Sequence, residues 1–334
     1  MIKKEIEDKE LLSQLSQIDK DGMSVFIMAD GRFRGAFFNG TKLINEMRAQ
    51  HNLGILETMV LGQGILCAAL MIQTMKGKEH LTFRYETNGK ASGFSVEVDS
   101  TGYVRGFLLN DNIPIDKPLE SWDLAPFFGD GGTLTVSRFP EGAKEPMVSS
   151  VEIIHKNIAK DLTYYFSQSE QINTAFNTSI QFDNKGRVIG AGGLFLQAIP
   201  VTGGHKVEEK ASDKPSNDNS SDKIEDFANM AEDELLQRAE NAFRAMPSIG
   251  KWFSDKGDRD DVVYGLFREF NPKVVLERDI VFDCPCNKEN FIRQIKYLPK
   301  NEFADIIENG PDPIEVICHN CGSVYKISKE ELQN

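Results

Sequence analysis

The sequence predicts an α+β fold in four parts. These are a large N-terminal sheet-and-helix domain over residues 1–202, a charged disordered link over 203–223, a helical linker region over 224–279 and a small C-terminal zinc-binding domain over 280–334. Three observations carry this division. Before residue 203, turn signals alternate with strand-like runs and a few helical ones, the pattern of hairpins mixed with helices. Residues 203–223 hold no aromatic residue and almost no aliphatic one, so they cannot bury enough apolar surface to offset the entropy of ordering them. Four of the five cysteines lie beyond residue 280 as two tight pairs. A chain of 334 residues also exceeds the roughly 250–300 at which a single core stops growing.

Within the first domain, Ser24–Ala29, an Asp30-Gly31 turn and Phe33–Phe38 read as a hairpin. Ile55–Met75 carries small and apolar residues at helical spacing and reads as a buried helix, with Cys67 as a small core residue. Leu81–Glu86 and Ala91–Val98 flank a Thr87-Asn88-Gly89-Lys90 turn, and Val98–Gly106 continues into a further strand. Thr133–Val136 is a short strand. Asn157–Ser169 is an amphipathic helix with Ile158, Leu162 and Phe166 on one face, and Ser179–Phe182 with Val188–Leu196 forms a last hairpin. Past the charged link, Ile224–Met246 is strongly helical and Asp261–Phe270 is a second short helix. Val274–Asp283 is a strand leading into the first cysteine pair, Asn287–Tyr297 and Lys300–Glu308 are helical, and Ser323–Ile327 is a strand after the second pair.

The pairs are Cys284-Pro285-Cys286 and Cys318-His319-Asn320-Cys321, with thirty-one residues between them. Four thiolates brought together by folding make a closed tetrahedral zinc site. The single intervening residue of the first pair is rarer than the usual two, strains a static site and suits one that opens. His319 is expected as a bystander. A unit of about fifty residues is near the size at which a core alone is marginal, so it should fold with the metal and melt without it. The residues leave three disulfide connectivities open. If each pair closed on itself, one long-range tie would be exchanged for two tiny loops, which constrain the chain far less. The segment before the unit carries an apolar face, Phe227, Leu235, Leu236, Phe243, Trp252, Phe253, Leu266 and Phe267, which must pack on a neighbour or become a binding surface when that neighbour goes.

A net charge of −13 argues against polyanionic partners, and the C-terminal unit itself holds six Lys/Arg against nine Asp/Glu. There is no phosphate-binding Gly-Lys-Ser loop and no nucleophile–base pairing. Gly190-Ala191-Gly192-Gly193 is too short and wrongly placed for a dinucleotide fingerprint, and four sulfur ligands leave no open position for a catalytic water. No enzyme is expected. The start of the sequence is charged rather than signal-like, and the apolar run at Gly64–Ile72 is too short to span a bilayer, so the expected location is cytoplasmic, without membrane or nucleic-acid partners.

With Leu81-Thr82, Asn88-Gly89, Val96–Asp99, Val104–Gly106, Gly131–Val136, Ile158–Leu162, Tyr165–Gln171 and Gly190–Leu194, the cysteine arrangement resembles the redox-regulated chaperones of the 33-kDa heat-shock protein family. The resemblance implies an ATP-independent holdase for unfolding proteins, inactive and monomeric when reduced with one Zn2+ on Cys284, Cys286, Cys318 and Cys321. It implies that oxidation forms two disulfides, expected as Cys284–Cys286 and Cys318–Cys321, releases zinc and favours a client-holding homodimer. The charged stretch 205–223 departs from the family's pattern as an insertion. The alternative is a constitutive zinc-ribbon binding module with purely structural zinc.

Overall fold

The structure is a computed structural model and describes residues 1–115, 121–200, 227 and 230–333. The charged link 203–223 and residues 224–226 and 228–229 of the helix expected from Ile224 lie outside the described residues; the described helix begins later than expected, at Glu232, because Ala231 is extended. Helix α1 (Lys9–Leu15) precedes the hairpin of β1 (Gly22–Met28) and β2 (Phe33–Asn39). Then follow α2 (Thr41–His51), α3 (Ile55–Met71), β3 (Glu79–Thr87), β4 (Gly93–Asp99), β5 (Tyr103–Leu108) and the single turn α4 (Ala125–Phe128). β6 (Gly132–Pro140), β7 (Met147–Glu152), α5 (Ile158–Tyr165), β8 (Thr174–Phe182) and β9 (Val188–Ala198) complete the large domain. Beyond it lie α6 (Glu232–Arg244), α7 (Ile249–Ser254), β10 (Lys273–Arg278), β11 (Val281–Phe282), α8 (Lys288–Lys296), α9 (Lys300–Asn309), β12 (Ile314–Ile317), β13 (Val324–Ile327) and α10 (Lys329–Gln333).

Two sheets dominate, one in the order β10-β1-β2-β9-β8 and one in the order β11-β5-β4-β3-β6-β7. The apolar helix α3 packs between them, which is why it is apolar all round rather than on one stripe. With its 3-10 extension to Thr74 it is long and apolar enough to cross a membrane by length and composition, beyond what the run at Gly64–Ile72 suggests, but it is mostly buried in this core. Cys67 is wholly buried on it, and burial pushes that thiol up to about 12.

Side chains alternate across the first sheet. Met23, Val25, Ala36, Phe38 and Phe195 face α3, whereas Phe26, Met28, Phe37, Leu194 and Leu196 face away from it. The outward set is fully or nearly buried, because Phe227 and residues 230–270 cover it as a second hydrophobic core. Strands apolar on both faces need layers on both sides.

Several expectations shift at their edges. β6 is nine residues long because it pairs with β3 along its length. The helix expected over Asp261–Phe270 is a wide turn at Asp261–Leu266 followed by a 3-10 turn, stopped by the left-handed Asn271 ahead of Pro272. The strand expected over Val274–Asp283 is two strands in different sheets, β10 beside β1 and β11 parallel to β5. The linker thus steps from the edge of one sheet to the edge of the other and delivers Cys284 there. α1, α2 and β7 are not among the elements expected from the sequence, although α2 buries Leu43, Ile44, Met47 and Gln50 at helical spacing; β7 is exposed along most of its length.

A buried carboxylate locks the bend before α5. Asp161 is wholly buried and accepts hydrogen bonds from the amides of Ile154 (3.0 Å), His155 (2.7 Å) and Asn157 (3.0 Å) and from the Tyr85 hydroxyl (2.8 Å). Asp161→Ala leaves the buried Tyr85 hydroxyl unpaired and removes the acceptor of three part-buried amides, and should lower stability by about 2–3 kcal/mol. Urea unfolding against Tyr85→Phe, which removes one of the four bonds, checks both size and cause.

Candidate metal centre

The four cysteines converge as the spacing predicts. All four Sγ atoms lie within 4.8 Å of one another. Two of these approaches are Cys286–Cys321 at 3.4 Å and Cys284–Cys318 at 3.8 Å. A tetrahedron with metal–sulfur bonds of about 2.3 Å has sulfurs about 3.8 Å apart, so the residues could hold one metal ion. The two close approaches each join a cysteine of one pair to a cysteine of the other. The reduced geometry therefore selects neither pairing.

Cys284, Cys318 and Cys321 are buried and Cys286 is half-buried. Sulfur hydrogen bonding with Cys284 and Cys321, with burial added, pushes the Cys318 thiol far up. Hydrogen bonds from Cys284 and Cys318 pull Cys321 far down. Cys284 is lowered by its bond with Cys318, but Cys321 and burial outweigh this and raise it to about 11. Four thiolate charges within 4.8 Å of one another repel, and a cation placed among them would offset that repulsion. His319 stays out of the cluster, exposed and edge-on to the Phe107 ring at 5.6 Å.

Both knuckles hang on β5. The amide of Val281 donates to the Gly102 carbonyl (2.9 Å) and that of Asp283 to the Val104 carbonyl (3.2 Å), so β11 sets Cys284 just past the strand edge. The Gly106 amide donates to the Asn320 carbonyl (3.1 Å), fixing the second knuckle. That knuckle closes on itself: the Gly322 amide donates to the Cys318 carbonyl (2.7 Å), and Gly322 sits at φ +65°, where an added Cβ would meet the Gln50 carbonyl at 2.8 Å. Tyr325 donates its hydroxyl to the Cys286 carbonyl (2.9 Å). Ser323 Oγ lies 3.2 Å from Cys321 Sγ and accepts from the Ile2 amide (3.0 Å), while Gln50 Nε2 donates to the Ile2 carbonyl (2.8 Å), lacing the knuckle to α2. Arg105 pairs with Glu97 at 2.6 Å beside the cluster. Burial, which would lower Arg105, is outweighed by Glu97 and by the charges of Cys284 and Cys318.

The eight apolar candidates of the linker gather in the second core. Phe227, Leu235, Phe253 and Phe267 are buried, and Leu236, Phe243, Trp252 and Leu266 pack partly buried against the same cluster. Phe253 stacks on Phe37 at 5.3 Å between ring centres, and Phe267 meets Phe26 at 5.4 Å. The attachment is uneven. α7 lies against the β8–β9 hairpin at a glycine contact, where a Cβ on Gly190 would run into the Gly250 carbonyl oxygen. The Gly250 amide donates to Ser179 Oγ (3.0 Å), and Ser179 and Ser248 share a hydrogen bond of 2.9 Å. α6 buries only Leu235 and Ala239. Sequence reading found the face but not this anchor, although Gly190–Gly193 in a strand is a signal for close backbone approach.

The family model described as Hsp33 protein matches residues 21–328. The 33 kDa chaperonin of Thermotoga maritima is 30% identical over 311 residues, covering 92% of this chain and 94% of that protein. The 33 kDa chaperonin of Lactiplantibacillus plantarum is 26% identical over 305 residues, covering 90% and 92%. A crystal structure of the Thermotoga maritima 33 kDa chaperonin (heat shock protein 33 homolog) superposes with a TM-score of 0.76 at 29% identity, covering 94% of this chain and 97% of that one.

Proposed function

This chain belongs to the Hsp33 family, whose membership supports a chaperone role, and from that premise we propose a redox-regulated, ATP-independent holdase for unfolding proteins. Its reduced form is inactive and holds one Zn2+ on Cys284, Cys286, Cys318 and Cys321. An all-sulfur set suits zinc over the hard cations Mg2+ and Ca2+. The observation that supports this reading most is the burial of the linker's apolar face against the first sheet, directly upstream of the cysteine cluster. When bound, the ion stabilises four thiolates and cross-links chain segments thirty-two residues apart.

Oxidation acts on the thiolates. Forming each of the proposed disulfides, Cys284–Cys286 and Cys318–Cys321, removes two electrons from a pair of thiolates, and for each disulfide one hydrogen peroxide takes those two electrons with two protons from solvent to become two waters. The sulfurs then no longer serve as metal ligands, and the covalent cross-links left in the unit are local. With the C-terminal unit loosened, β11 and β10 lose their continuation and the face of Phe227, Leu235, Leu236, Phe243, Trp252, Phe253, Leu266 and Phe267 becomes available to clients. The oxidised protein pairs as a homodimer; the reduced one is a monomer. It acts in the cytoplasm, as a binder of unfolded chains and not as an enzyme or a partner of nucleic acids or membranes.

The test follows metal release with a chromogenic chelator and client aggregation by light scattering, before and after peroxide or hypochlorite and again after dithiothreitol. The reading expects release and protection to rise together and protection to be reversed by reductant with zinc restored. An oxidised protein that keeps its metal and protects no better than the reduced one supports a purely structural site instead.

A further inference from the structure

Between α6 and the face of the large domain formed by α5, β8 and β9 runs a groove of about 540 Å3. Its domain wall carries Phe33, Phe176 and Leu196, and its linker wall Leu236, Ala239 and Phe243. Two cations stand on opposite walls, Lys160 on α5 and Arg244 on α6. Arg244 already pairs with Glu240 at 3.0 Å, which also neutralises the acidic group of the lining. The Lys160 ammonium has no ion-pair or hydrogen-bond partner among the described residues; the contact made by Lys160 is through its backbone amide to Asn157.

We propose that this groove binds a single-chain amphiphilic carboxylate of the medium-chain fatty-acid class, with its hydrocarbon against the two apolar walls and its carboxylate at Lys160. The size is that of small-ligand sites, which run to about 300–1,000 Å3, and the lining is amphipathic: the apolar side chains are accompanied by Thr163, Ser167, Asn173 and Thr174 beside the charged residues, which suits a ligand with both a polar and an apolar end. The headgroup sign follows from charge: an unpaired cation over an apolar floor complements an anion, and no unpaired acidic group of the lining offers the same to a cationic amphiphile. A tail touching both walls ties α6 to the domain, and α6 is the weakly buried part of the linker. By linkage, a ligand that binds only the docked linker raises the population of that state. That consequence rests on the proposed function; the binding does not.

Calorimetric titration of the reduced, zinc-loaded full-length protein with sodium decanoate, below its micellar concentration, tests the site, with decyltrimethylammonium and 1-decanol as parallel arms. The expected result is saturable binding at one site per chain, with decanoate at least about tenfold tighter than either other amphiphile, and a loss of about tenfold or more for decanoate in Lys160→Glu. The Lys160 side chain is exposed and has no partner among the described residues, so its replacement leaves the fold intact, which an unchanged melting curve verifies. Phe243→Ser should weaken all three amphiphiles together. Equal affinities for the three, decanoate binding unchanged in Lys160→Glu, or no saturable binding would overturn the proposal. None of these outcomes depends on a chaperone assay, so its failure is separable from failure of the holdase reading.

Discussion

Replacing Cys321 with serine should unfold residues 280–333 of the reduced protein, β11 included, while leaving strands β1–β9 of the two large sheets paired. Cys321 is wholly buried, and the unit around it has little else inside: neither α8 nor α9 contains a single buried residue. Its interior is the cysteine cluster with Ile280, Phe282, Ser323, Tyr325, Ile327 and Leu332. Against that small core, the apparent binding free energy of structural zinc, about 10–16 kcal/mol, rivals the stability of a whole domain. The ties to β5 at Val281, Asp283 and Gly106 are single backbone hydrogen bonds, each of order 1 kcal/mol net. Chelation of the unmodified protein should do the same. The contrast is Tyr325→Phe, which removes one hydrogen bond to the Cys286 carbonyl and should cost about 1 kcal/mol with metal retained. Thermal melting with a metal-release readout separates the cases. A Cys321→Ser protein that keeps both its metal and its second melting transition would show that the cluster is not what holds the unit.

The second large effect is expected at Gly190. A valine there drives its Cβ into the Gly250 carbonyl oxygen and within 2.8 Å of the Ser254 amide nitrogen, and all of these are backbone atoms that cannot swing aside. Overpacking alone typically costs about 1–3 kcal/mol. Here it acts on the linker's tightest attachment, where Ile249 and Phe253 enter the second core. α7 should lift from β8 and β9, taking the Phe253–Phe37 stack with it. The reduced Gly190→Val protein should then bind a hydrophobic dye and suppress client aggregation without any oxidant, approaching the level of oxidised unmodified protein. The substitution touches none of the four cysteines, so the metal is still bound, but by linkage it should be released more readily than from the unmodified protein. A variant with an unchanged dye signal and no protection would mean that docking of residues 227–270 does not gate activity.

The cysteine pairs were legible because ligand spacing is a local property of the chain, and the apolar linker face because helical periodicity is too. The hairpins at Asp30-Gly31 and Asn88-Gly89 were readable from turn chemistry. What the sequence did not disclose is what crosses between elements. A run such as Val188–Leu196 shows a strand, but its apolar residues on both faces mean two coverings, and only the fold identifies the second as the linker. The break of Val274–Asp283 into β10 and β11 depends on two sheet edges lying a few residues apart in space. Likewise Gly106, Gln50 and Ile2 reach the second knuckle from positions far away in sequence. Tyr325 and Ser323 are nearer, yet their roles come from side-chain direction rather than spacing.

The central claim is that the cysteine cluster and the docked linker are one coupled unit. Amide hydrogen exchange on the zinc-loaded reduced protein and on the same protein after peroxide, with metal release followed in parallel, tests it most directly. The account predicts that protection is lost together in residues 230–278 and 280–333 as the metal leaves, while β2, β3, β4 and α3 keep theirs. Loss of the metal with protection retained across α6, α7 and β10 would contradict it.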